Sequence, residues 1–344
     1  MNMKGKPGII CAGSMIVDLL KRVDSYPDAS TLANIREVSS ATGGLVCNCI
    51  QDLARMDPDL PLLAVGVVGD DSNGHFILDT MQKYPNIDVS GVRLEGQTSF
   101  TDVMYENNTN TRTFFQFAGA NRSFDESYVE LDGLEGSILH IGYILLLDAL
   151  DAADPEYGTH MARLLCEAQK KGVKTSIDIV SENSQRYRDV VIPALKYTDY
   201  CIINELEAER TTGIQLTDGK DVIEENMALA LRALREYGVR RWAVIHSKFA
   251  SYGMAEDGEI IKIGVYGVPR EQIVSTTGAG DAFCSGVLYG ACKDMSLCDA
   301  MKLGTLTANC SLSAAGASDG VHTIAEMKQI AKAWSEPEVQ TLCC

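Results

Sequence analysis

Residues 275–283 carry side chains and glycines whose spacing suits chemistry on a bound anion. They read Ser-Thr-Thr-Gly-Ala-Gly-Asp-Ala-Phe, and a helix-compatible run follows over 281–293. A helix N-terminus leaves about four backbone N–H groups without intrahelical partners, and glycines let the backbone close on an anion. Asp281 then sits beside the anion, placed to act as a general base or to bind a metal. The alternative is a glycine-rich N-cap in which Asp is the capping residue.

Two further groups of residues suit a ligand that carries hydroxyl groups. Gly43 and Gly44 precede a predicted helix, and their lack of side chains allows a ligand to approach the backbone, with the amide of Asn48 nearby. Asp18 lies past the end of a predicted first strand over 8–12, where open α/β sheets bind ligands. The alternatives are a tight loop before a helix for the glycines and a solvated loop residue for Asp18.

Asn204 and Glu207 follow a predicted strand over 200–203 and share one face at a helix start. Because magnesium usually keeps several waters in proteins, this pair would suit a metal-bound water network. Asp178, also at a strand end, would belong to the same cluster. A helix-capping arrangement is the alternative for Asn204 and Glu207.

Composition limits the class of protein. The chain has 344 residues, of which 46% are hydrophobic, enough for one large domain over 8–335. Its net charge of −17 argues against nucleic acid or an anionic membrane as a main partner. The longest apolar stretch, 141–147, is too short to span a bilayer. Eleven cysteines without metal-ligand spacing predict reduced, mostly buried thiols in a cytoplasmic protein.

The predicted elements favour an α/β fold. From residue 138 onward, strands alternate with helices, which predicts a doubly wound, mostly parallel central sheet flanked by helices. The polar segment 31–40 and a hairpin within 98–117 have little core to bury, so they are predicted to form a small β-sheet lid. Gly286 and Gly290 share one face of the helix predicted over 281–293, and we expect that face to pack close to a sheet.

Several phosphate-binding signatures are missing from the sequence. It contains no Gly-x4-Gly-Lys-Ser/Thr loop and no Gly-x-Gly-x-x-Gly after the first strand. Any nucleotide must therefore bind by another scheme.

With these motifs in order, the sequence resembles the ribokinase-like (PfkB) family of carbohydrate and nucleoside kinases. Residues 276–283 are similar to the C-terminal signature of that family, and Gly43-Gly44 with Asn48 to its N-terminal signature. Asn204-x-x-Glu207 is similar to its magnesium-associated motif. The resemblance covers roughly residues 8 to 330.

The resemblance implies phosphoryl transfer from ATP, with Mg²⁺, to a hydroxymethyl group. Asp281 resembles the catalytic base, and the amides of Gly278, Ala279 and Gly280 resemble the anion hole. The implied sugar-binding residues are Asp18, Gly43, Gly44 and Asn48. The implied nucleotide-binding residues are Asn204, Ser247, Thr276, Gly278, Gly280 and Asn309. Glu207 and Asn204 resemble the residues that organise magnesium through water. The segments 31–40 and 98–117 resemble the lid of the family, which often supplies a homodimer contact.

Two positions depart from the family pattern. Ser275 stands where the family usually has an Asp that helps hold a monovalent cation, which puts K⁺ activation in doubt. Ser247 and Ala250 stand where the family usually has the two glycines of a turn under the nucleotide.

The leading hypothesis is an ATP-dependent kinase acting on a primary hydroxyl of a small sugar, ribose-like or fructose-like. A nucleoside kinase of the same fold is the second hypothesis, because alternation puts Phe115 and Phe117 on one lid face, where they would stack on a base. Lid packing or a dimer contact is the other interpretation of these rings. A third hypothesis is a non-catalytic sugar-sensing protein, supported only by the departures at Ser275, Ser247 and Ala250.

Overall fold

The structure is a computed structural model that describes residues 6–106, 108, 111–219 and 221–342. Its strands are β1 (Ile9–Gly13), β2 (Ile16–Val23), β3 (Ile35–Gly43), β4 (Leu62–Val68), β5 (Ile87–Leu94), β6 (Phe100–Glu106), β7 (Thr111–Phe117), β8 (Ile138–Ile144), β9 (Ala153–Asp154), β10 (Gly158–Thr159), β11 (Lys174–Ile179), β12 (Tyr200–Asn204), β13 (Trp242–His246), β14 (Ala250–Met254), β15 (Ile260–Gly264) and β16 (Val339–Leu342). Its α-helices are α1 (Gly44–Met56), α2 (Ser72–Met81), α3 (Asp148–Asp151), α4 (His160–Lys170), α5 (Tyr187–Leu195), α6 (Glu205–Thr212), α7 (Met227–Glu236), α8 (Ala279–Cys292), α9 (Leu297–Ser311) and α10 (Ile324–Ala331).

The central sheet has ten strands within these residues, in the order β16-β15-β14-β13-β12-β11-β8-β1-β4-β5. Pairing is parallel from β13 through to β5, whereas β13 to β16 run antiparallel. Strand β1 is fully buried, as expected for a parallel strand covered on both faces. The predicted doubly wound α/β fold is confirmed. Strand β16 lies past residue 335, where the predicted domain ends.

A second sheet stands apart from the core as a lid, with the strand order β3-β2-β6-β7. The small lid sheet predicted from 31–40 and 98–117 is present, but β3 begins at Ile35 and continues to Gly43. Strand β2 was not predicted, and it pairs in parallel with β6. The turn predicted over 106–110 lies partly outside the described residues.

Helix α8 packs against α9, so the prediction that its glycine face meets a sheet was wrong. A Cβ added at Gly286 would lie 2.6 Å from Cα of Gly304, and one at Gly290 would lie 2.4 Å from Cβ of Ala300. The small residues therefore allow two helices to approach closely, which holds the N-terminus of α8 in place.

Each cysteine in the described ranges is a free thiol, and most are buried, as the composition predicted. Over the same ranges, every helix falls short of the length and apolar character that a bilayer crossing needs.

Candidate active site

The loop before α8 has a conformation that requires glycine. Gly278 is the N-cap of α8 with φ of 78°, and a Cβ added there would lie 2.5 Å from the carbonyl oxygen of Ala317. The amide of Ala279 donates to the Thr276 carbonyl at 3.3 Å. The amides of Gly280 and Asp281 follow in the first helical turn, where no intrahelical acceptor is available. The loop thus presents backbone donors at a helix N-terminus.

Asp281 lies inside the first turn of α8 and is not its capping residue, since Gly278 holds the N-cap position. Tyr143 Oη donates to Asp281 Oδ1 at 2.7 Å, and Asn48 Nδ2 donates to Asp281 Oδ2 at 2.8 Å. Burial raises the pKa of Asp281, while these two donors act in the opposite direction because they stabilise the carboxylate. Both oxygens are therefore held in a fixed orientation.

The predicted hydroxyl-binding residues lie beside Asp281. Asn48 is buried, and its Oδ1 has no hydrogen-bond partner within the described residues. Asp18 lies in β2, and its Oδ2 comes so close to Gly43 that a Cβ there would be 2.5 Å away. Burial, followed by the charge of Asp281, raises the pKa of Asp18 to about 6. Gly44 has φ of 83° and backs onto the Ser14 carbonyl.

Asn204 and Glu207 form a capping box at the start of α6. The backbone N–H of Asn204 donates to Glu207 Oε2 at 3.0 Å. Glu207 Oε1 accepts from Asn204 Nδ2 and from Ser181 Oγ, each at 2.7 Å. The capping interpretation therefore holds, although the same carboxylate also faces a cavity of about 290 Å³. That cavity is also lined by Asp178, Asp281, Tyr143, Gly278 and Gly280.

The donors around this cavity fit a hydrated magnesium ion. Magnesium prefers oxygen ligands and keeps several waters. The carboxyl groups of Asp178, Glu207 and Asp281 supply oxygen donors around one space. Glu207 already accepts three hydrogen bonds, so it would hold the ion through water. Burial raises the pKa of both Glu207 and Asp178.

A second cavity, of about 410 Å³, adjoins the first and shares Gly280 and His246 with it. Its lining includes the predicted nucleotide-binding residues Ser247, Thr276, Gly280 and Asn309, and the apolar residues Val265, Ile273, Ala308 and Leu312. Ser247 Oγ donates to the Ala250 carbonyl at 2.9 Å, so this hydroxyl holds its own turn. Asn309 Oδ1 accepts from the amide of Tyr266 at 3.2 Å. The volume and mixed lining are typical of a small-molecule site.

Comparison with known proteins identifies the family of this chain. The family model described as pfkB family carbohydrate kinase matches residues 6–324. The chain belongs to this family. It is therefore a phosphotransferase with an alcohol group as acceptor, and kinases of this family use ATP and a divalent metal ion.

The chain has curated relatives that act on different substrates. It is 25% identical over 278 residues to an adenosine kinase of Schizosaccharomyces pombe, covering 78% of each chain. It is 23% identical over 317 residues to a ribokinase of Lactococcus lactis, covering 92% of this chain and 94% of the relative. Among solved structures, the Arabidopsis thaliana ribokinase complexed with ribose and ATP superposes with a TM-score of 0.77 at 18% identity, covering 95% of this chain and 99% of that one. That structural likeness concerns the fold alone.

Two side chains at this site were not predicted from the sequence. Tyr143 lies in β8, and a polar residue at the carboxyl end of a buried strand was the available signal. His246 ends β13, contacts both cavities, and lies 3.4 Å from where a Cβ of Gly280 would be. Burial lowers the pKa of His246 to about 4, so the ring is neutral at neutral pH.

The lid reaches the loop before α8. Arg112 in β7 donates to Thr277 Oγ1 in that loop. Since successive residues of a strand point to opposite faces, Arg112 and Phe114 share the lid face that meets the site. Phe115 and Phe117 lie on the other face. The lid aromatics singled out for base stacking therefore point away from the site.

Proposed function

We propose that this chain is an ATP-dependent kinase that transfers the γ-phosphoryl group to a primary hydroxyl of a small sugar, ribose-like or fructose-like. The observation that carries the proposal is the position of Asp281. Its carboxylate is fixed by Tyr143 and Asn48 in the first turn of α8, and it lines the smaller of two adjoining cavities. The larger cavity suits a nucleotide, and the smaller one suits the transferred group.

In this proposal Asp281 takes the proton from the sugar hydroxyl as that oxygen attacks the phosphoryl group. A positioned base of this kind contributes typically about 10²–10⁴-fold to rate. The amides of Gly278, Ala279 and Gly280 form the anion hole. Because the Ala279 amide already donates weakly to Thr276, the amides of Gly278 and Gly280 carry more of this role. Magnesium supplies charge neutralisation for the phosphates when it is bound.

The side chains around Asp281 suit sugar hydroxyls. The buried Asn48 Oδ1 lacks a partner among the described residues, and a sugar hydroxyl would satisfy it. Asp18, beside Gly43, would accept from a second hydroxyl when it is ionised. Gly43 leaves room for the sugar because any side chain there would collide with the Asp18 carboxylate, whereas a side chain at Gly44 would collide with the Ser14 carbonyl.

A nucleoside is the second candidate acceptor. The specific observation in its favour is Phe114, a residue that is 63% exposed on the lid face that meets the site. An exposed ring there would stack on a base. The similarity to an adenosine kinase agrees with this candidate but does not separate it from a sugar kinase.

We propose that the chain forms a homodimer through the outer face of the lid. Val38, Phe115 and Phe117 lie on that face and are 63%, 57% and 39% exposed. Large apolar side chains grouped on one exposed face are typical of an interaction surface. The net charge of −17 keeps nucleic acid an unsuitable partner.

We propose only weak dependence on potassium. Ser275 brings no carboxylate to the loop, and its Oγ accepts from the amide of Thr277 at 3.1 Å. We also propose a cytoplasmic location, because the cysteines in the described ranges are free thiols and thiols stay reduced in the cytosol.

A panel of sugars and nucleosides with ATP and Mg²⁺, each with and without K⁺, tests these proposals. Phosphorylation of a pentose or hexose at its primary hydroxyl is the expected result. Turnover with nucleosides alone would show that the acceptor is a nucleoside and not a sugar. Absence of ATP consumption with every acceptor would favour the non-catalytic alternative.

A further inference from the structure

Four groups that can bind a soft metal ion converge behind Asp281, each from a different element. They are Cys49 in α1, His140 in β8, Asp178 in β11 and Cys284 in α8. We refer to these four residues as the thiol–imidazole cluster. The function proposed above uses neither the thiols nor the imidazole, and all three of these side chains are buried.

The distances within the thiol–imidazole cluster suit tetrahedral coordination. His140 Nε2 lies 3.6 Å from Cys284 Sγ and 3.8 Å from Cys49 Sγ. A tetrahedral zinc site with Zn–S near 2.3 Å and Zn–N near 2.0 Å separates nitrogen and sulfur ligands by about 3.5 Å. Ligand atoms of His140, Asp178 and Cys284 all lie within 4.8 Å of one another. Cys49 Sγ is outside this group of three but lies beside His140, so a side-chain shift of Cys49 would be needed to bring all four ligands onto one ion.

The imidazole is oriented as in a metal ligand. His140 Nδ1 lies 3.0 Å from Ser176 Oγ, which leaves Nε2 directed at the two thiols. Metal-binding histidines typically engage their second nitrogen in such a contact. Burial lowers the pKa of His140 to about 3, so the ring is neutral and its Nε2 lone pair is available to a cation in the appropriate tautomer.

The cluster is also reachable. Asp178 lines the 290 Å³ cavity beside Asp281 and is 9% exposed, whereas the thiols lie behind it. A cation that enters the active-site cavity therefore meets Asp178 first.

We propose that the thiol–imidazole cluster binds a thiophilic divalent cation such as Zn²⁺, and that the bound cation inhibits the kinase. The ligand set, two thiolates with one imidazole and one carboxylate, is one that zinc favours over magnesium. On binding, Cys49 and Cys284 each lose a proton to solvent, so the two thiolates offset the charge of the cation.

Inhibition follows from the neighbours of the two cysteines. Cys49 directly follows Asn48, which donates to Asp281, and its Sγ approaches the carbonyl oxygen of Asp281 at 3.8 Å. Cys284 lies one helical turn after Asp281. Drawing both sulfurs onto one ion shifts the residues that hold the base, and it withdraws Asp178 from the cavity. A shift of about 1 Å at a reacting centre can cost on the order of 10²-fold in rate.

The first test is cobalt binding to the full chain, which does not depend on kinase activity. Co²⁺ in a tetrahedral thiolate site gives intense visible absorption and a sulfur-to-cobalt charge-transfer band. We expect one equivalent of Co²⁺ to give both bands in the unmodified protein, and Zn²⁺ to abolish them. If the unmodified protein shows no such bands, the metal site is ruled out without any variant.

Variants locate the site. Cys49→Ala and Cys284→Ala should each weaken the charge-transfer band, because one of its two thiolates is gone, and the double variant should lose it, whereas the control variants Cys166→Ala and Cys298→Ala, on α4 and α9, should keep its full intensity. Undiminished intensity of the band in both single variants, or a band that persists in the double variant, would contradict the assignment.

The inhibitory consequence rests on the proposed kinase function, and it is measured separately. With Mg²⁺ and ATP in excess, buffered Zn²⁺ should lower the rate of the unmodified protein by roughly tenfold or more. A chelator should restore the rate, and the ratio of rates with and without Zn²⁺ should be near one in Cys284→Ala. Cobalt binding without zinc inhibition would overturn only the inhibitory role. Absence of any kinase activity would leave the cobalt result standing.

Discussion

Tyr143 donates a hydrogen bond of 2.7 Å to Asp281 across 138 residues of sequence. The phenol comes from the end of a central strand and the carboxylate from the first turn of α8. This contact fixes one oxygen of Asp281, while Asn48 fixes the other. Tyr143 is therefore a positioning residue for the proposed base.

Tyr143→Phe should shift the acidic limb of the kcat/KM–pH profile to higher pH. The phenol stabilises the charged carboxylate, so its loss raises the pKa of Asp281. A hydrogen bond to a charged group is worth about 1.5–3 kcal/mol. Because Tyr143 and Asp281 are only half-buried, we expect the acidic limb to shift by about one pH unit. Tyr128→Phe is the matched control, since its hydroxyl donates to Glu95 at 2.8 Å away from the site. An unchanged profile would show that Tyr143 does not stabilise the Asp281 carboxylate.

Asp18 should make sugar binding dependent on pH. Its pKa is raised to about 6, so the carboxyl is mostly protonated at pH 5 and ionised at pH 8. If only the ionised form accepts from the sugar hydroxyl, the KM for sugar should be about tenfold higher at pH 5 than at pH 8. Asp18→Asn should have a raised KM that no longer changes over this range. A pH-dependent KM that persists in Asp18→Asn would assign the effect to another group.

Much of the fold could be predicted because its central strands are short apolar runs separated by helices. Strand β2 escaped prediction for a physical reason. It carries Asp18, Lys21 and Arg22, and most of its residues are half-buried, so the one-sided apolar alternation of an ordinary strand is weak. Its pairing with β6 also joins residues about 80 positions apart, which no local pattern reports.

The sequence predicted which residues form most of the candidate site, but it did not predict which side chains contact one another. Gly43, Asn204 and Asp281 lie at the boundaries of strands and helices, where local sequence is informative. Tyr143 was missed because its partner is distant in sequence. The outward direction of Phe115 and Phe117 depends on which lid face meets the loop, and only the Arg112–Thr277 contact reveals that.

Gly278→Ala should lower both stability and turnover. A residue other than glycine at φ of 78° costs roughly 1–2 kcal/mol, and the added Cβ would also overlap Ala317. Loss of the anion-hole geometry should reduce kcat by about 10²-fold or more. Gly258→Ala is the control, because φ is 83° there and nothing lies within 4 Å of the added Cβ. Urea unfolding should show a larger loss for Gly278→Ala, and equal losses would contradict the predicted overlap.

Phe115→Glu should dissociate the proposed dimer. A carboxylate on the outer lid face would have to lose water on association, which is costly without a partner. Sedimentation velocity should show a dimer for the unmodified chain and a monomer for the variant. Leu229→Glu on α7 provides the control, since Leu229 is 50% exposed away from the lid. A monomeric unmodified chain at micromolar concentration would refute this interface.

The most direct test of the central claim is single-turnover phosphorylation by Asp281→Asn, compared with Asp257→Asn as an exposed control. Asn keeps the size of the side chain but cannot accept the proton of the sugar hydroxyl. We predict that the rate of phosphoryl transfer falls by about 10²–10⁴-fold while the dissociation constant of the sugar changes little. A rate within a fewfold of the unmodified enzyme would contradict the role of Asp281 as the base.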